Sequence, residues 1–413
     1  MTITPAPKLT SAGKAALDTL LETKVAGRTV PAVTFGATTA EGPIYFAQRG
    51  ERVFGEPEKG DIGPDTLLQL YSTTKLVTTT AVLQLVDRGL VALDDPAVVE
   101  KYAPELLKLD ILKEYNDSGP VWAKRQNPIT LKHLLSHSSG LAYSFTSPNV
   151  ARWTEETGAP GPWGGTIEGF CEPLNFEPGT SWVYGIGIDW AGIIIERVTG
   201  QTLAEYFQEN IFAPLGIENF TFYPSDHVRS HIQQVVGRNE DGSLKPVPSI
   251  RSLDTTPGQL SGGGGLIGTA RGYLRFLQGV LASKTEGNGG LISPASFKTL
   301  FTNALPPRGP DNTCYQGIGT MTKRQDYHDP AHVTNGTAEG LEHSVGLLLN
   351  ITDSVYGRKA GSGCWDGAAK TQYWVDPTTG VAGICFSQIL APNPDPFMKV
   401  YNAFERTLYD NLE

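Results

Sequence analysis

Segments with strand patterns lie at both ends of the chain, and a long block of helical patterns separates them. Five segments have the composition of strands: VPAVTFGAT (30–38), GPIYFAQRG (42–50), HSVGLLLNI (343–351), TQYWVDP (371–377) and GVAGICFSQIL (380–390). Helical spacing of apolar residues appears at 9–25 and 396–412. Strands at both ends bury their apolar faces most simply in one shared sheet. The sequence therefore predicts an α/β fold with a sheet assembled from both chain ends and covered by the terminal helices.

The middle of the chain predicts a mostly helical insertion. GIDWAGIIIERVTG and TLAEYFQENIFAPLG are amphipathic and each closes on a glycine, which is typical of a helix end. We expect a discontinuous sheet domain at residues 1–78 and 226–413 and a helical domain at 79–225. Residues 144–182 are rich in Gly, Pro and Trp, and we expect them to form a loop that lines a binding surface.

Ser72 and Lys75 stand three residues apart where the strand-like TLLQLYS meets the helical LVTTTAVLQLVDRGLV. Residues three apart lie on one face of a helix, so the hydroxyl and the amine would be neighbours. The unpaired N–H groups at the start of that helix would also point at whatever meets the serine. The pattern is short and also occurs at Ser11–Lys14, where it has no preceding strand and reads as a helix cap. By itself the Ser72 motif fits an activated nucleophile and an ordinary helix start equally well.

Further motifs give the chain a family resemblance. They are YSTTKLVTTTAVLQLVDRGLVALDD, ITLKHLLSHSSGL, EPGTSWVYGIGIDWAG, YFQENIFAPLGI and the late WVDP turn. Together they resemble the class C β-lactamase and family VIII carboxylesterase group, and look most similar to its fungal acyltransferase branch that loads a statin side chain. The resemblance covers most of the chain. It implies a β-lactamase-like fold with a central antiparallel sheet and an inserted helical domain, and an active site between the two domains.

The resemblance also implies roles for individual residues. Ser72 would be the nucleophile, Lys75 and Tyr184 would manage its proton, and the backbone N–H groups of Ser72 and Ala368 would form the oxyanion hole. Which of Lys75 and Tyr184 is the base stays open. The residues expected to line the substrate pocket are Tyr143, Trp163, Ile186, Trp365, Asp366 and Gly367.

One family motif is missing. The Lys-Thr-Gly strand is replaced by Trp365-Asp366-Gly367-Ala368, and Ile186 stands where the asparagine of Tyr-x-Asn is usual. Lys-Thr-Gly offers a cation to the carboxylate of a β-lactam, whereas Trp365 offers an apolar surface and Asp366 would repel an anion. We therefore expect poor penicillin hydrolysis and a preference for neutral acyl groups.

Composition excludes several other classes of protein. A net charge of −10 and a pI near 5.3 argue against a nucleic-acid binder. Cys171, Cys314, Cys364 and Cys385 have no metal-ligand spacing and read as thiols of a reducing compartment. The N-terminus lacks the apolar run of a signal peptide, and no stretch has the length of a membrane span. We expect a cytoplasmic protein, monomeric or weakly self-associating, with no cofactor, no metal and no membrane partner.

The predicted function is that of a serine esterase or acyltransferase that acts on carboxylic esters or thioesters in secondary metabolism. Its partner would be a small-molecule acyl substrate, including a thioester or carrier-bound acyl donor. Two alternatives remain. The fold could serve a non-acyl isomerisation or cyclisation, with Lys75, Tyr184 and Asp366 as acid–base groups, or it could be a silent binding protein. The His133–His137 pair lacks the H-E-x-x-H pattern and is interpreted as structural.

Overall fold

A seven-stranded antiparallel sheet is the centre of the fold in the computed structural model, which describes residues 5–325 and 338–413. Its strands are β1 (Ala32–Thr38), β2 (Pro43–Gly50), β9 (Leu341–His343), β10 (Leu348–Asn350), β11 (Ser362–Gly367), β12 (Thr371–Asp376) and β13 (Val381–Phe386). They run across the sheet in the order β2-β1-β13-β12-β11-β10-β9. Thr34 of β1 pairs with Phe386 of β13, so strands from the two chain ends are direct neighbours in the sheet. The predicted antiparallel sheet built from both chain ends is confirmed.

Three small antiparallel pairs lie outside this sheet. They are β3 (Leu67–Gln69) with β8 (Ile267–Thr269), β4 (Ile111–Asn116) with β5 (Gly119–Ala123), and β6 (Val236–Arg238) with β7 (Leu244–Pro246). The β3–β8 pair matters for the site, because β3 leads directly into the Ser72 turn and β8 follows the glycine run at 262–265.

Twelve α-helices are defined in the described part of the chain. They are α1 (Ser11–Ala26), α2 (Thr74–Asp87), α3 (Pro96–Tyr102), α4 (Leu131–Leu135), α5 (Pro148–Thr157), α6 (Gly187–Thr199), α7 (Leu203–Phe207), α8 (Asp226–His231), α9 (Ala270–Ala282), α10 (Pro294–Leu300), α11 (Cys314–Gln325) and α12 (Phe397–Tyr409).

Helices cover both faces of the sheet. Neighbouring residues of a strand point to opposite faces. Phe35 of β1 stacks on Phe404 of α12 at 4.4 Å, whereas an added Cβ at Gly36 would meet Leu274 of α9. Helix α12, with α1 packed beside it, therefore covers one face, and α9 covers the other.

Helix α2 is buried along almost its whole length and packs against α6. Its threonines are tolerated because backbone carbonyls accept their hydroxyl protons: Thr78 donates to Gly262 O at 2.6 Å and Thr80 to Leu76 O at 2.8 Å. The helix runs unbroken through residue 78, where the sheet domain was expected to end. The division into two domains stays a prediction.

Two local expectations were wrong, and one hairpin was not expected. The segment 343–351 contains the end of β9 and all of β10, because a tight turn at Ser344–Leu347 with Gly346 at φ 108° reverses the chain. The expected loop at 144–182 contains helix α5, capped by the Ser147 side chain. The β4–β5 hairpin within the helical block was not expected, since its half-exposed strands carry a weak apolar pattern.

Candidate active site

Ser72 lies in a single helical turn, Tyr71–Thr73, between strand β3 and helix α2. Tyr71 adopts φ 48°, a conformation that costs energy for a residue with a Cβ and that here turns the chain sharply before the serine. Lys75 follows in the first turn of α2, where its side chain is 1% exposed. Lys75 Nζ lies 3.2 Å from Ser72 Oγ. Ser72 and Lys75 are therefore neighbours, as their spacing of three residues predicts.

Tyr184 reaches the same serine from the segment before α6. Its hydroxyl donates to Ser72 Oγ at 2.5 Å, across 112 residues of sequence. Lys75 Nζ lies over the face of the Tyr184 ring, 4.8 Å from its centre. A cation in that position is attracted by the ring, so the lysine and the tyrosine are held together on the serine.

Lys75 has two further acceptors that sequence reasoning did not identify. Its Nζ donates to Gly263 O at 2.7 Å and to the Tyr143 hydroxyl at 3.0 Å. Tyr143 was expected to line the pocket; it does so, and it also contacts the lysine directly. The Tyr143 hydroxyl in turn donates to Asp189 Oδ2 at 3.2 Å.

The glycine run at 262–265 permits this close packing. A Cβ at Gly263 would lie 2.3 Å from Asp189 Oδ2, and one at Gly262 would lie 3.0 Å from Ile188 O. Gly263 therefore brings its backbone between Lys75 and Asp189, with its carbonyl on the lysine and its N–H on Asp189 Oδ1 at 2.9 Å. The run SGGGG was the sequence signal for this contact, as a site of close backbone approach.

Burial and charge shift the pKa values around Lys75. The pKa of Tyr143 is raised well above 10, first by burial and then by the nearby charge of Asp189. The pKa of Glu172 is raised to about 8 by burial and by Asp189. Tyr143 and Glu172 are therefore both mostly neutral near pH 7, within range of the charge of Asp189.

Ser72 opens into a cavity of about 350 Å³. Its wall is mostly aromatic and aliphatic, with one carboxyl group: Tyr71, Ser72, Tyr143, Phe145, Trp163, Tyr184, Ile250, Asp366, Ala368, Leu390, Ala391 and Pro392. Burial raises the pKa of Asp366 to about 6, and its Oδ2 accepts from Gln372 Nε2 at 3.2 Å. Ala368 lies on this wall just after the end of β11.

Three residues expected to line the pocket lie elsewhere among the described residues. Ile186 is fully buried in the core at the start of α6. Trp365 is 2% exposed and packs behind Tyr184, with the ring centres 5.2 Å apart. Gly367 is pressed against the chain before Ser72, because an added Cβ there would lie 2.4 Å from Leu70 O. Sequence reasoning also missed Phe145, which lines the cavity and is 63% exposed.

The two histidines at 133 and 137 have structural contacts. His133 Nδ1 accepts from Thr130 N, and Thr130 Oγ1 accepts from His133 N, which caps α4. His137 is buried beside Tyr184 and Trp182, and burial lowers its pKa well below the usual value. Within residues 5–325 and 338–413, no group of three His, Cys, Asp or Glu side chains could hold a metal ion. No helix of the described chain is long and apolar enough to cross a bilayer.

Comparison with known proteins places this geometry in a family. The profile of the family described as Beta-lactamase matches residues 17–407. A lovastatin esterase of Penicillium rubens is 30% identical over 404 residues, which cover 95% of this chain and 98% of the esterase. A monacolin J acid methylbutanoyltransferase of Aspergillus terreus is 29% identical and covers 95% of both chains. The unliganded simvastatin synthase of Aspergillus terreus superposes with a TM-score of 0.84 at 27% identity, covering 97% of this chain and 98% of the synthase.

Proposed function

Because the chain belongs to the β-lactamase family, we propose that it transfers acyl groups through Ser72, as an esterase or acyltransferase. The observation that carries the proposal is the double contact of Ser72 Oγ with Lys75 Nζ and the Tyr184 hydroxyl. A serine hydroxyl is a weak nucleophile until a neighbouring group takes its proton, and the free amine of Lys75 and the phenolate of Tyr184 are both able to do so.

The reaction follows from the contacts. Ser72 Oγ attacks the carbonyl carbon of the acyl donor while its proton passes into the Lys75–Tyr184 pair. The negative charge on the carbonyl oxygen is stabilised by the N–H groups of Ser72 and Ala368. The same pair returns the proton to the leaving alcohol or thiol, which leaves an acyl-serine. Water or an acceptor alcohol then loses a proton to the pair and attacks the acyl-serine. The bond between the acyl carbon and Ser72 Oγ breaks, the pair returns the proton to Ser72 Oγ, and the product acid or ester is released.

The cavity supports neutral acyl substrates. Phe145, Trp163 and Ile250 offer apolar contact area, and the carboxyl group of Asp366 disfavours an anion beside it. The names of two relatives refer to statin chemistry: a lovastatin esterase and a monacolin J acid methylbutanoyltransferase. We propose a substrate of the same broad kind, a polyketide-like ester or its alcohol, with a thioester or carrier-bound thioester as the acyl donor in the transfer direction.

The cellular setting is part of the same proposal. All four cysteines are free thiols, which fits a reducing compartment such as the cytoplasm. We propose that the protein works there as a monomer or a weak self-associating species.

The test is replacement of the nucleophile. Ser72→Ala should reduce turnover of a p-nitrophenyl ester by at least about 1,000-fold, because the covalent route is lost. The control is Ser11→Ala, since Ser11 begins the other Ser-x-x-Lys motif at an exposed position of α1. Ser11→Ala should keep full activity, and equal activity of Ser72→Ala and the native enzyme would remove Ser72 as nucleophile.

A further inference from the structure

Asp189 lies in the first turn of α6 and does not line the substrate cavity. Its carboxylate accepts three hydrogen bonds: from Ser261 Oγ at 2.5 Å, from Gly263 N at 2.9 Å and from the Tyr143 hydroxyl at 3.2 Å. The residue is 1% exposed. Two of these three donors, Gly263 and Tyr143, are the groups that also bind Lys75 Nζ. Asp189 therefore fixes the surroundings of the lysine without touching it.

The direction of the Tyr143 hydroxyl follows from counting donors and acceptors. A hydroxyl has one proton, and a carboxylate can only accept. Since Tyr143 stays protonated, its proton goes to Asp189 Oδ2, and its oxygen is left to accept from Lys75. Gly263 O also only accepts. Two N–H groups of Lys75 are thus used by Tyr143 and Gly263, and the remaining position of the nitrogen faces Ser72.

We propose that Asp189 is a positioning residue that directs the Lys75 amine at Ser72, which rests on the proposed function of Ser72 as nucleophile. In the neutral amine, both N–H groups are occupied and the lone pair points to the Ser72 hydroxyl, so Lys75 can accept the proton of the serine. Without the carboxylate, the Tyr143 hydroxyl is free to turn and donate to that lone pair in competition with Ser72.

The proposal predicts a change in pH dependence. The titratable groups that face Lys75 are Tyr143, Tyr184 and Asp189 around the amine, His137 in the turn after α4, and Asp366 on β11. Asp189→Asn takes a negative charge out of the cluster of side chains around the amine, which makes protonation within that cluster less favourable. The acid limb of the kcat/KM profile should therefore move to lower pH in Asp189→Asn.

The experiment measures p-nitrophenyl ester turnover by Asp189→Asn between pH 5 and pH 9. We expect kcat to fall about 100-fold with KM within twofold, together with the shift of the acid limb. The matched control is Glu172→Gln, because Glu172 is also a buried carboxyl beside Asp189 and is mostly neutral below its pKa of about 8. Glu172→Gln should leave kcat within twofold and the acid limb in place.

Tyr143→Phe provides a second route to the answer if Asp189→Asn does not fold. It breaks the link to Lys75 and keeps the Asp189 bonds to Ser261 and Gly263. Tyr143→Phe should also lose activity. The double variant with Asp189→Asn and Tyr143→Phe should have a kcat no lower than that of the less active single variant. An unshifted acid limb in a folded Asp189→Asn, or an active Tyr143→Phe, overturns the proposal. Labelling of Ser72 by a fluorophosphonate distinguishes failure of the proposed function from failure of the role of Asp189. Native enzyme that resists the reagent contradicts the proposed function. Equal labelling rates of native enzyme and Asp189→Asn contradict only the role of Asp189.

Discussion

Gly263→Ala is the most local perturbation of the network behind Lys75. The new methyl group would lie 2.3 Å from Asp189 Oδ2, 2.8 Å from its Cγ and 2.9 Å from its Oδ1. Ordinary contact begins near 3.4 Å, so the carboxylate and the backbone at 263 have to separate by about 1 Å. The carboxylate cannot turn aside freely, because Ser261 and Tyr143 also hold it.

The separation should affect stability and catalysis to different degrees. Overpacking of a buried contact costs about 1–3 kcal/mol of unfolding free energy. A shift of about 1 Å in the Gly263 carbonyl, which binds Lys75, is expected to reduce kcat about 100-fold, because the amine then no longer points at Ser72 in the reactive geometry. KM for a small aryl ester should change little, since Gly263 does not line the cavity.

The assay compares Gly263→Ala with Gly63→Ala by ester turnover and thermal unfolding. A Cβ at Gly63 would meet nothing within 4 Å, and its φ is not in the left-handed region. Gly63→Ala should therefore be neutral or stabilising by up to about 1 kcal/mol, with full activity. A folded Gly263→Ala with kcat within threefold of the native value would refute the reasoning that this glycine holds the lysine and Asp189 together.

Three further predictions concern single contacts. Tyr184→Phe removes only the hydroxyl that contacts Ser72 at 2.5 Å. In steady-state assays kcat should fall about 100- to 10,000-fold, while the melting temperature stays within a few degrees of the native value. A native-like kcat would exclude the tyrosine from proton transfer. The folded pKa of Glu172, about 8, exceeds its unfolded value near 4.5, so its contribution to stability is complete below pH 4.5 and is lost as the pH rises to 8. Glu172→Gln should therefore melt higher than the native protein at pH 9 but not at pH 5, and equal shifts at both pH values would contradict this. Glu405→Gln leaves the buried Arg358 guanidinium without its carboxylate partner at 2.8 Å, and should cost about 3 kcal/mol in denaturant unfolding, where a loss below about 1 kcal/mol would refute it.

The parts of the site that the sequence predicts are those set by local geometry. Ser72 and Lys75 meet because they are three residues apart at the start of one helix. The strands at both ends could be recognised because β1, β12 and β13 are rich in β-branched and aromatic residues. Tyr184 entered through a family resemblance, since nothing in its own neighbourhood shows that it lies beside Ser72.

The residues that escaped prediction act through contacts between distant segments. Asp189 in the first turn of a helix reads as an ordinary favourable charge near the helix start. Its role is visible only in the folded structure, where Tyr143 and Gly263, 46 and 74 residues away in sequence, donate hydrogen bonds to the same carboxylate. The sequence pattern also did not predict the orientation of Trp365. Neighbouring side chains along β11 point to opposite faces of the sheet, but the pattern does not indicate which of them faces the cavity.

The central claim is that Ser72 carries the acyl group during turnover, and intact-mass spectrometry tests it most directly. The native protein, quenched within seconds of mixing with a slowly hydrolysed aryl ester, should gain the mass of one acyl group, and peptide mapping should place it on Ser72. Ser72→Ala should gain nothing under the same conditions, and Lys75→Ala should acylate much more slowly than the native protein. Native protein that turns the ester over with no acyl group on Ser72, or with the group on another residue, would contradict the account.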